Sequence, residues 1–278
     1  MRSNLTTFDR SFWIYFCIAI ILIIAIGFLP YLLTSTSFCL IDFSDSGQVG
    51  DTIGGIMGPF IAIVASLLTF LAFWVQFKAN QQQRYDIAVE RFESNLFQML
   101  QMQESIVNGL HYSPIDGADR NYGESFQGRN VFYAIYELKG WNPDWGLKDL
   151  IKNEGYSAYE KDKEIIILDH YFRHLYRIFK YIEDSELFTE EEKYQYASMA
   201  RSSLSPYELV LLFYNCLSTN GKEKFKPLIE TFALFNNLRL DLLIQKDQET
   251  YKECLEKGFN QENQNFLYKR GAFIYDKQ

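Results

Sequence analysis

The sequence of 278 residues contains little glycine, proline or cysteine, with 16, 6 and 4 residues respectively. So little glycine and proline excludes a collagen-like or low-complexity polymer, and four cysteines are too sparse to hold a fold together by disulfides. The chain also lacks a basic excess, because its net charge is -8 and its pI is about 5.1. This acidity argues against a protein that holds nucleic acid mainly through contacts with phosphates.

The usual catalytic signatures are missing as well. There is no phosphate-binding loop, nucleophile elbow, dinucleotide fingerprint or paired-cysteine motif. His170 and His174 lie four apart, so they would share a helix face and could hold a metal. A zinc site would need a third ligand, and Tyr171 replaces the glutamate that follows the first histidine in metalloproteases. We therefore expect packing or hydrogen-bonding histidines, no metal, no cofactor and no enzymatic activity.

Hydrophobic residues are concentrated in two long runs near the N-terminus. Residues 12–33 and 53–77 contain no Asp, Glu, Lys, Arg or His. The first run would form about 33 Å of helix, enough for a hydrocarbon core of about 30 Å, and the second is longer. A secretory signal is the alternative for the first run, but the apolar part of a signal is only about 7 to 15 residues long. We predict a hairpin of two membrane spans.

The charges beside these runs predict how the hairpin is oriented. The flanking Lys and Arg residues are Arg2, Arg10, Lys78, Arg84 and Arg91. The loop between the runs has no Lys or Arg and contains Asp42, Asp45 and Asp51. Because Lys and Arg accumulate on the cytoplasmic side of membrane spans, both termini are predicted to be cytoplasmic and the acidic loop external.

The composition changes at about residue 80, which divides the chain into a membrane hairpin, 1–80, and a cytoplasmic domain, 81–278. No Gly or Pro occurs between Pro59 and Gly109, so the second span is predicted to continue as one long cytoplasmic helix. Apolar residues recur in it with a seven-residue period, except at Gln103. The recurring positions are Tyr85, Phe92, Met99, Ile106, Val89, Leu96 and Leu110. This pattern favours packing against another helix, of the same chain or of another subunit.

The rest of the sequence predicts an all-α domain. Helical patterns cover residues 129–139, 160–182, 225–243 and 248–257, and residues 116–128 have the composition of a loop. Two further helices are predicted after Thr189 and Ser205, which have capping residues and acidic first turns. The helix over 160–182 has a basic stripe, which suits a solvated face or a nucleotide or RNA site. The stripe is Arg173, Arg177 and Lys180.

Small or polar residues form a stripe along the second span, here called the small-residue stripe. Its members are Gly54, Gly58, Ala62, Ala65, Thr69, Ala72 and Gln76. Such a stripe lets helix backbones approach closely. It could pack against the first span of the same chain. Alternatively, several copies could assemble around it and line a pore whose outer mouth is ringed by the loop acids, which would favour cations.

Seven segments occur in an order that is typical of one family. They are GDTIGGIMGP at 50–59, FWVQ at 73–76, RFESNLFQML at 91–100, GRNVF at 128–132, YFRHLYR at 171–177, LSPYEL at 204–209 and FYNC at 213–216. This ordered set resembles the phage abortive infection proteins related to AbiC of lactococci.

The resemblance implies a bacterial anti-phage protein with two spans in the inner membrane and a cytoplasmic helical domain. Similar two-span effectors look like the toxic partners of retrons, which damage the host membrane. The family offers no catalytic residues to carry over. The matching motifs nevertheless contain candidates for sensing or for shaping the domain, namely Arg129, Arg173, His174, Glu208 and Asn215.

The leading hypothesis is an abortive-infection effector that permeabilises the inner membrane when its cytoplasmic domain is triggered. Its expected partners are the lipid bilayer, further copies of the chain, and a phage component or a defence partner such as a retron ribonucleoprotein, whereas direct binding of nucleic acid is not expected. A membrane-anchored enzyme acting on RNA or nucleotides is one alternative. A non-toxic sensor or scaffold for another effector is the other.

Overall fold

The computed structural model describes residues 10–34, 46–113, 125–138, 146–161, 163–257 and 267–275. The first half of the chain contains α1 (Arg10–Thr34), α2 (Ser46–Asn108), β1 (His111–Tyr112), β2 (Phe126–Gln127), α3 (Asn130–Glu137) and α4 (Leu147–Glu154). The second half contains α5 (Ser157–Lys161), α6 (Asp169–Glu183), α7 (Glu190–Ser202), α8 (Pro206–Asn215), α9 (Thr219–Lys222), α10 (Phe225–Phe232) and α11 (Gln245–Lys257). Short 3-10 helices cover Lys163–Leu168, Leu240–Leu242 and Arg270–Ala272. The chain is mostly helical, as the sequence predicts.

The chain divides into two compact units, residues 1–90 and 91–278. The division lies inside α2, ten residues after the predicted boundary at residue 80. Because α2 is a single helix of 63 residues, the predicted continuation of the second apolar run into a long helix is observed. The helix passes through Pro59, which has no N–H to donate to the preceding turn.

The first unit contains α1 and the apolar part of α2. Among the described residues, one helix segment, Met57–Asn108, is long and apolar enough to cross a membrane, which is weak support for a membrane protein. The apolar stretch of α1 covers Trp13–Phe28 and is shorter than a full span. Several side chains of the first predicted span, at 12, 29, 30, 32 and 33, lie outside the described residues. The two-span hairpin therefore stays a prediction.

Helix α8 forms the centre of the second unit. Every residue from 208 to 214 is buried, so α8 is enclosed on all sides, as expected of a helix that is apolar around its whole circumference. Large aromatic side chains fill much of the surrounding core. Among those with less than 2% exposure are Phe132, Tyr136, Tyr171, Phe179, Phe213, Tyr214, Phe232, Phe235, Tyr251 and Tyr268.

The C-terminal end of α2 packs within the second unit. Phe92 stacks on Tyr181 with ring centroids 4.8 Å apart, and meets Phe188 and Tyr196 edge-on at 4.7 and 5.2 Å. Leu96, one turn further along, is 1% exposed. Part of the seven-residue pattern is thus explained by packing inside the chain, one of the two alternatives that the sequence left open.

Both predicted helix caps are present. The Thr189 hydroxyl accepts from the backbone N–H of Glu192, and the Glu192 carboxylate accepts from the backbone N–H of Thr189 at 3.0 Å. Ser205 and Glu208 make the same reciprocal pair at the start of α8, where Pro206 occupies the first turn. These signals are local, and so they place the starts of α7 and α8 correctly.

Three predicted elements differ from the structure. Residues 160–182 form the end of α5, a 3-10 helix and α6 instead of one helix, because three successive β-branched isoleucines, Ile165 to Ile167, disfavour regular helix. The helix predicted over 225–243 ends at Phe232, since Ala233 is left-handed with φ of 48°. The predicted loop 116–128 ends in β2, which pairs antiparallel with β1 over two residues each, too few to show alternation.

Candidate functional site

The small-residue stripe is exposed along its whole length in the described chain. Among the described residues of this span, Val64 and Leu71 are buried, each one position before a stripe residue and so about 100° round the helix from it. A Cβ added at Gly54 or Gly58 would meet no atom within 4 Å. Between the described residues, the close backbone approach that these small residues permit is therefore not used.

The predicted ring of acids is described only in part. Asp51 is exposed in the early turns of α2. Asp42 and Asp45 lie outside the described residues.

Three of the five candidate residues from the matching motifs, Arg129, His174 and Glu208, lie in one partly buried polar network. This network, here called the Glu208 cluster, also contains Gln103 and Tyr171. Glu208 is 1% exposed, and its Oε1 accepts from the Tyr171 hydroxyl at 2.9 Å. Its Oε2 accepts from the Ser205 backbone N–H at 2.7 Å as part of the α8 cap. A carboxylate this deeply buried is tolerated only when such donors replace water.

Arg129 joins the Glu208 cluster to three elements. It precedes α3, and its Nε lies 3.8 Å from the Glu208 Oε2. Its Nη2 donates to Glu104 of α2 at 2.8 Å and to the backbone oxygen of Ser203, between α7 and α8, at 3.1 Å. One side chain thereby ties α2, α3 and the start of α8 together, with a planar group suited to several acceptors at once.

Gln103 and His174 form the other side of the Glu208 cluster. The Gln103 Oε1 lies 2.7 Å from the His174 Nδ1, an arrangement in which Nδ1 carries the hydrogen. Gln103 is 4% exposed, and its Nε2 has no hydrogen-bond partner among the described residues. The Gln103 amide nevertheless lowers the pKa of Tyr171. Burial and the negative Glu208 have the larger, opposite effect and hold the pKa of Tyr171 well above its usual range.

Burial lowers the pKa of His174 below its ordinary value of 6.5, and the neighbouring His170 lowers it further. The folded domain therefore binds a proton at His174 more weakly than the unfolded chain does. We expect stability to fall as pH falls through 6.5 and below, and this loss to be smaller in His174→Gln. Thermal unfolding of the full chain in detergent at pH 7.5 and pH 5.5 measures it. His170→Gln should keep most of the dependence because burial is the larger cause, and an unchanged pH dependence in His174→Gln would contradict the assignment.

The other two candidates, Arg173 and Asn215, line a groove elsewhere on the second unit. The groove has a volume of about 650 Å³ and lies between the segment 159–166, α6, and the corner that joins α8 to α10. The Asn215 Nδ2 donates to the Tyr159 hydroxyl at 3.1 Å. A Cβ at Gly221 would come within 2.5 Å of the Asn215 backbone oxygen, so glycine is needed where α9 passes the end of α8.

The three bases of the stripe predicted on α6 do not share the same surroundings. Lys180 forms ion pairs with Glu183 at 2.7 Å and Asp184 at 2.9 Å, and these hydrogen bonds raise its pKa. Arg173 and Arg177 line the groove instead. Lys180 thus belongs to a solvated face and is paired with acids, whereas the two arginines belong to a concave surface.

Residues 163–242 match the model of a protein family described as "Putative phage abortive infection protein". The match confirms the family resemblance and indicates a role in phage abortive infection. It covers 80 of the 278 residues and contains α6 to α10. No curated protein and no solved structure matches the chain.

Most of the polar residues discussed above lie inside the stretch matched to the abortive infection family. Tyr171, His174 and Glu208 of the Glu208 cluster belong to it, as do Arg173 and Asn215 of the groove. Gln103 and Arg129 lie before it. In the part of the chain that the structure describes, no group of three or more His, Cys, Asp or Glu residues could hold a metal ion.

Two polar positions were missed by sequence reasoning. Gln103 was visible as the one polar break in an apolar seven-residue pattern, a signal that marks a buried hydrogen-bonding residue. Asp247 is 2% exposed and accepts from the hydroxyls of Tyr156 and Tyr214, while burial raises its pKa. Nothing distinguished it from an ordinary acid in the first turn of a polar helix.

Proposed function

We propose that this protein is an abortive-infection effector of the bacterial inner membrane, and that its hairpin permeabilises the membrane when the cytoplasmic unit is triggered. The match to the abortive infection family supports the biological role. The apolar helix segment Met57–Asn108 supports attachment to a membrane. The spans cover about 12–33 and 53–77, both termini are cytoplasmic, and the acidic loop is external.

The observation that carries this proposal is the continuity of α2. The helix has the exposed small-residue stripe in its apolar part and contributes Gln103 and Glu104 to contacts of the Glu208 cluster. Because a helix resists twisting and compression, a shift of α2 within the Glu208 cluster is transmitted to the stripe.

Assembly of several copies through the small-residue stripe completes the mechanism. In a bilayer, helix contacts depend on close packing of small residues, and the stripe is unused within the chain. Copies that meet along it bring Gln76 and Thr69 toward a common axis. The external acids Asp42, Asp45 and Asp51 then favour the passage of cations.

The proposed effector is not an enzyme. The candidate chemical groups are bonded to one another, since His174 is held by Gln103 and Glu208 by Tyr171 and Ser205. Its partners are lipids, further copies of itself, and a trigger from the phage or from a defence partner such as a retron ribonucleoprotein. Direct binding of nucleic acid is not part of the proposal, because the chain is acidic.

The membrane potential of infected cells tests this function. Cells that express the chain are challenged with phage, and a potential-sensitive dye and cell density are followed together. We expect the potential to collapse no later than growth arrest, and to persist in infected cells without the protein. An intact potential at growth arrest would refute permeabilisation. It would favour the tethered enzyme if a fragment beginning at residue 79 is toxic, or the scaffold if overexpression leaves cells healthy.

A further inference from the structure

Three basic side chains line the groove beside α6. Arg173 and Arg177 are four residues apart on one face of α6, and Lys224 lines the same groove from the turn between α9 and α10. All three side chains are exposed. Within the described ranges none of them has an ion-pair partner, in contrast to Lys180. Two guanidinium groups and an ammonium group so placed match the oxygens of phosphate groups.

The same groove has an aromatic floor. Phe172 and Phe225 are buried at 5% and 3% exposure, and the half-buried ring of Tyr176 packs edge-on against Phe225 with centroids 5.7 Å apart. Of these three rings, the half-buried Tyr176 has surface left on which a planar ring can stack. A purely inorganic anion would leave this apolar surface uncovered.

Two carboxylates also line the groove. Asp169 and Glu160 place carboxylate oxygens in a site whose other charges are positive. A ligand that is only anionic would be repelled by them. Ribose hydroxyls and base amino groups are donors that would suit them.

From these features we infer that the groove binds a free nucleotide, with its phosphates on Arg173, Arg177 and Lys224 and its base against the aromatic floor. A volume of about 650 Å³ falls within the usual range of about 300 to 1,000 Å³ for small-ligand pockets. A polymer is disfavoured because residues 1–80 carry a charge of -1 and the remaining residues therefore carry -7 of the total -8. This inference goes beyond the proposed membrane activity and does not depend on it.

Calorimetry on the full chain in detergent micelles tests the site, with ATP, adenosine and tripolyphosphate as separate probes. We expect ATP to bind more tightly than either of the others, since only ATP has both the phosphates and the ring. Arg173→Gln and Arg177→Gln should each weaken ATP binding about ten-fold or more, the loss typical of a hydrogen bond to a charged group. Tyr176→Leu should weaken ATP binding and leave tripolyphosphate binding unchanged.

Lys180→Gln is the matched control, because Lys180 lies on the same helix but pairs with acids outside the groove. It should bind ATP as the wild type does, and all variants should unfold at similar temperatures, since the replaced side chains are at least partly exposed. Absence of ATP binding, tripolyphosphate binding as tight as that of ATP, or an equal loss in Lys180→Gln would overturn the inference. Much tighter binding of a single-stranded RNA 10-mer or of a decaglutamate peptide would also overturn it, in favour of a polymer or a protein partner.

Discussion

Replacing Gly58 with leucine is expected to abolish phage-triggered depolarisation and to leave the protein folded and in the membrane. Gly58 is exposed on α2, and no atom would lie within 4 Å of an added Cβ, so a larger side chain fits the single chain. Between copies, however, leucine would separate backbones that the small-residue stripe allows to approach. Because close packing of small residues drives helix association in membranes, each interface between copies would be weakened.

Gly27→Leu is the matched control for this prediction. Gly27 is also an exposed helical glycine with no atom within 4 Å of an added Cβ, but it lies on α1, outside the small-residue stripe. Both variants should accumulate in the membrane fraction to the wild-type level. Depolarisation by Gly58→Leu at the wild-type rate would refute assembly through the stripe. An equal loss in Gly27→Leu would mean that added bulk anywhere in the hairpin is harmful, and would refute it as well.

Local sequence signals predicted the parts of the fold that depend on local contacts. The reciprocal pairs Thr189–Glu192 and Ser205–Glu208 involve residues three apart, so the sequence alone shows where α7 and α8 begin. The end of α10 was not predictable in this way. Leu234, Phe235 and Leu238 continue an apolar helical spacing, yet Ala233 turns the chain, and these side chains are buried from a turn. Burial in the core, and not helical periodicity, determines the backbone conformation after Ala233.

In the candidate sites, too, the sequence predicted some features and tertiary packing decided others. Motifs from the family resemblance singled out Arg129, His174 and Glu208 without any indication that they would share a network. Their connection runs through Gln103, which is 71 residues from His174 in the sequence, and through Tyr171, which is 37 residues from Glu208. Pairings over such distances are decided by how α2, α6 and α8 pack. A single sequence without co-varying positions carries no signal for them.

The groove was less predictable from the sequence than the Glu208 cluster, because its charges are set by tertiary contacts. Its two arginines were recognised as part of a basic stripe, but their separation from Lys180 depends on Glu183 and Asp184, and Lys224 joins them from another corner of the fold. The helical spacing of α6 alone does not distinguish the three bases. Their neighbours make one of them a paired surface residue and leave the other two available.

The buried acid of the Glu208 cluster is expected to be the most sensitive polar position for stability. Glu208→Ala removes the acceptor for the Tyr171 hydroxyl and the Ser205 backbone N–H, and the ion-pair contact with the Arg129 guanidinium. Removing one partner of a buried charged network typically costs about 3 to 5 kcal/mol, and here the Tyr171 hydroxyl would stay buried without its acceptor. For a unit of this size that corresponds to a fall in Tm of roughly 10 °C, measured by thermal unfolding of the full chain in detergent.

Glu192→Ala provides the comparison that isolates burial from capping. Glu192 occupies the same third position of the α7 capping box, with an equivalent bond to Thr189, but on a partly exposed surface. Its loss should cost about 1 kcal/mol, the usual contribution of a cap. The difference between the two variants therefore measures what Tyr171, Arg129 and burial add to the same local motif. Equal losses in the two variants would mean that Glu208 acts only as a helix cap, and that Arg129 does not couple α2 to α8 through it.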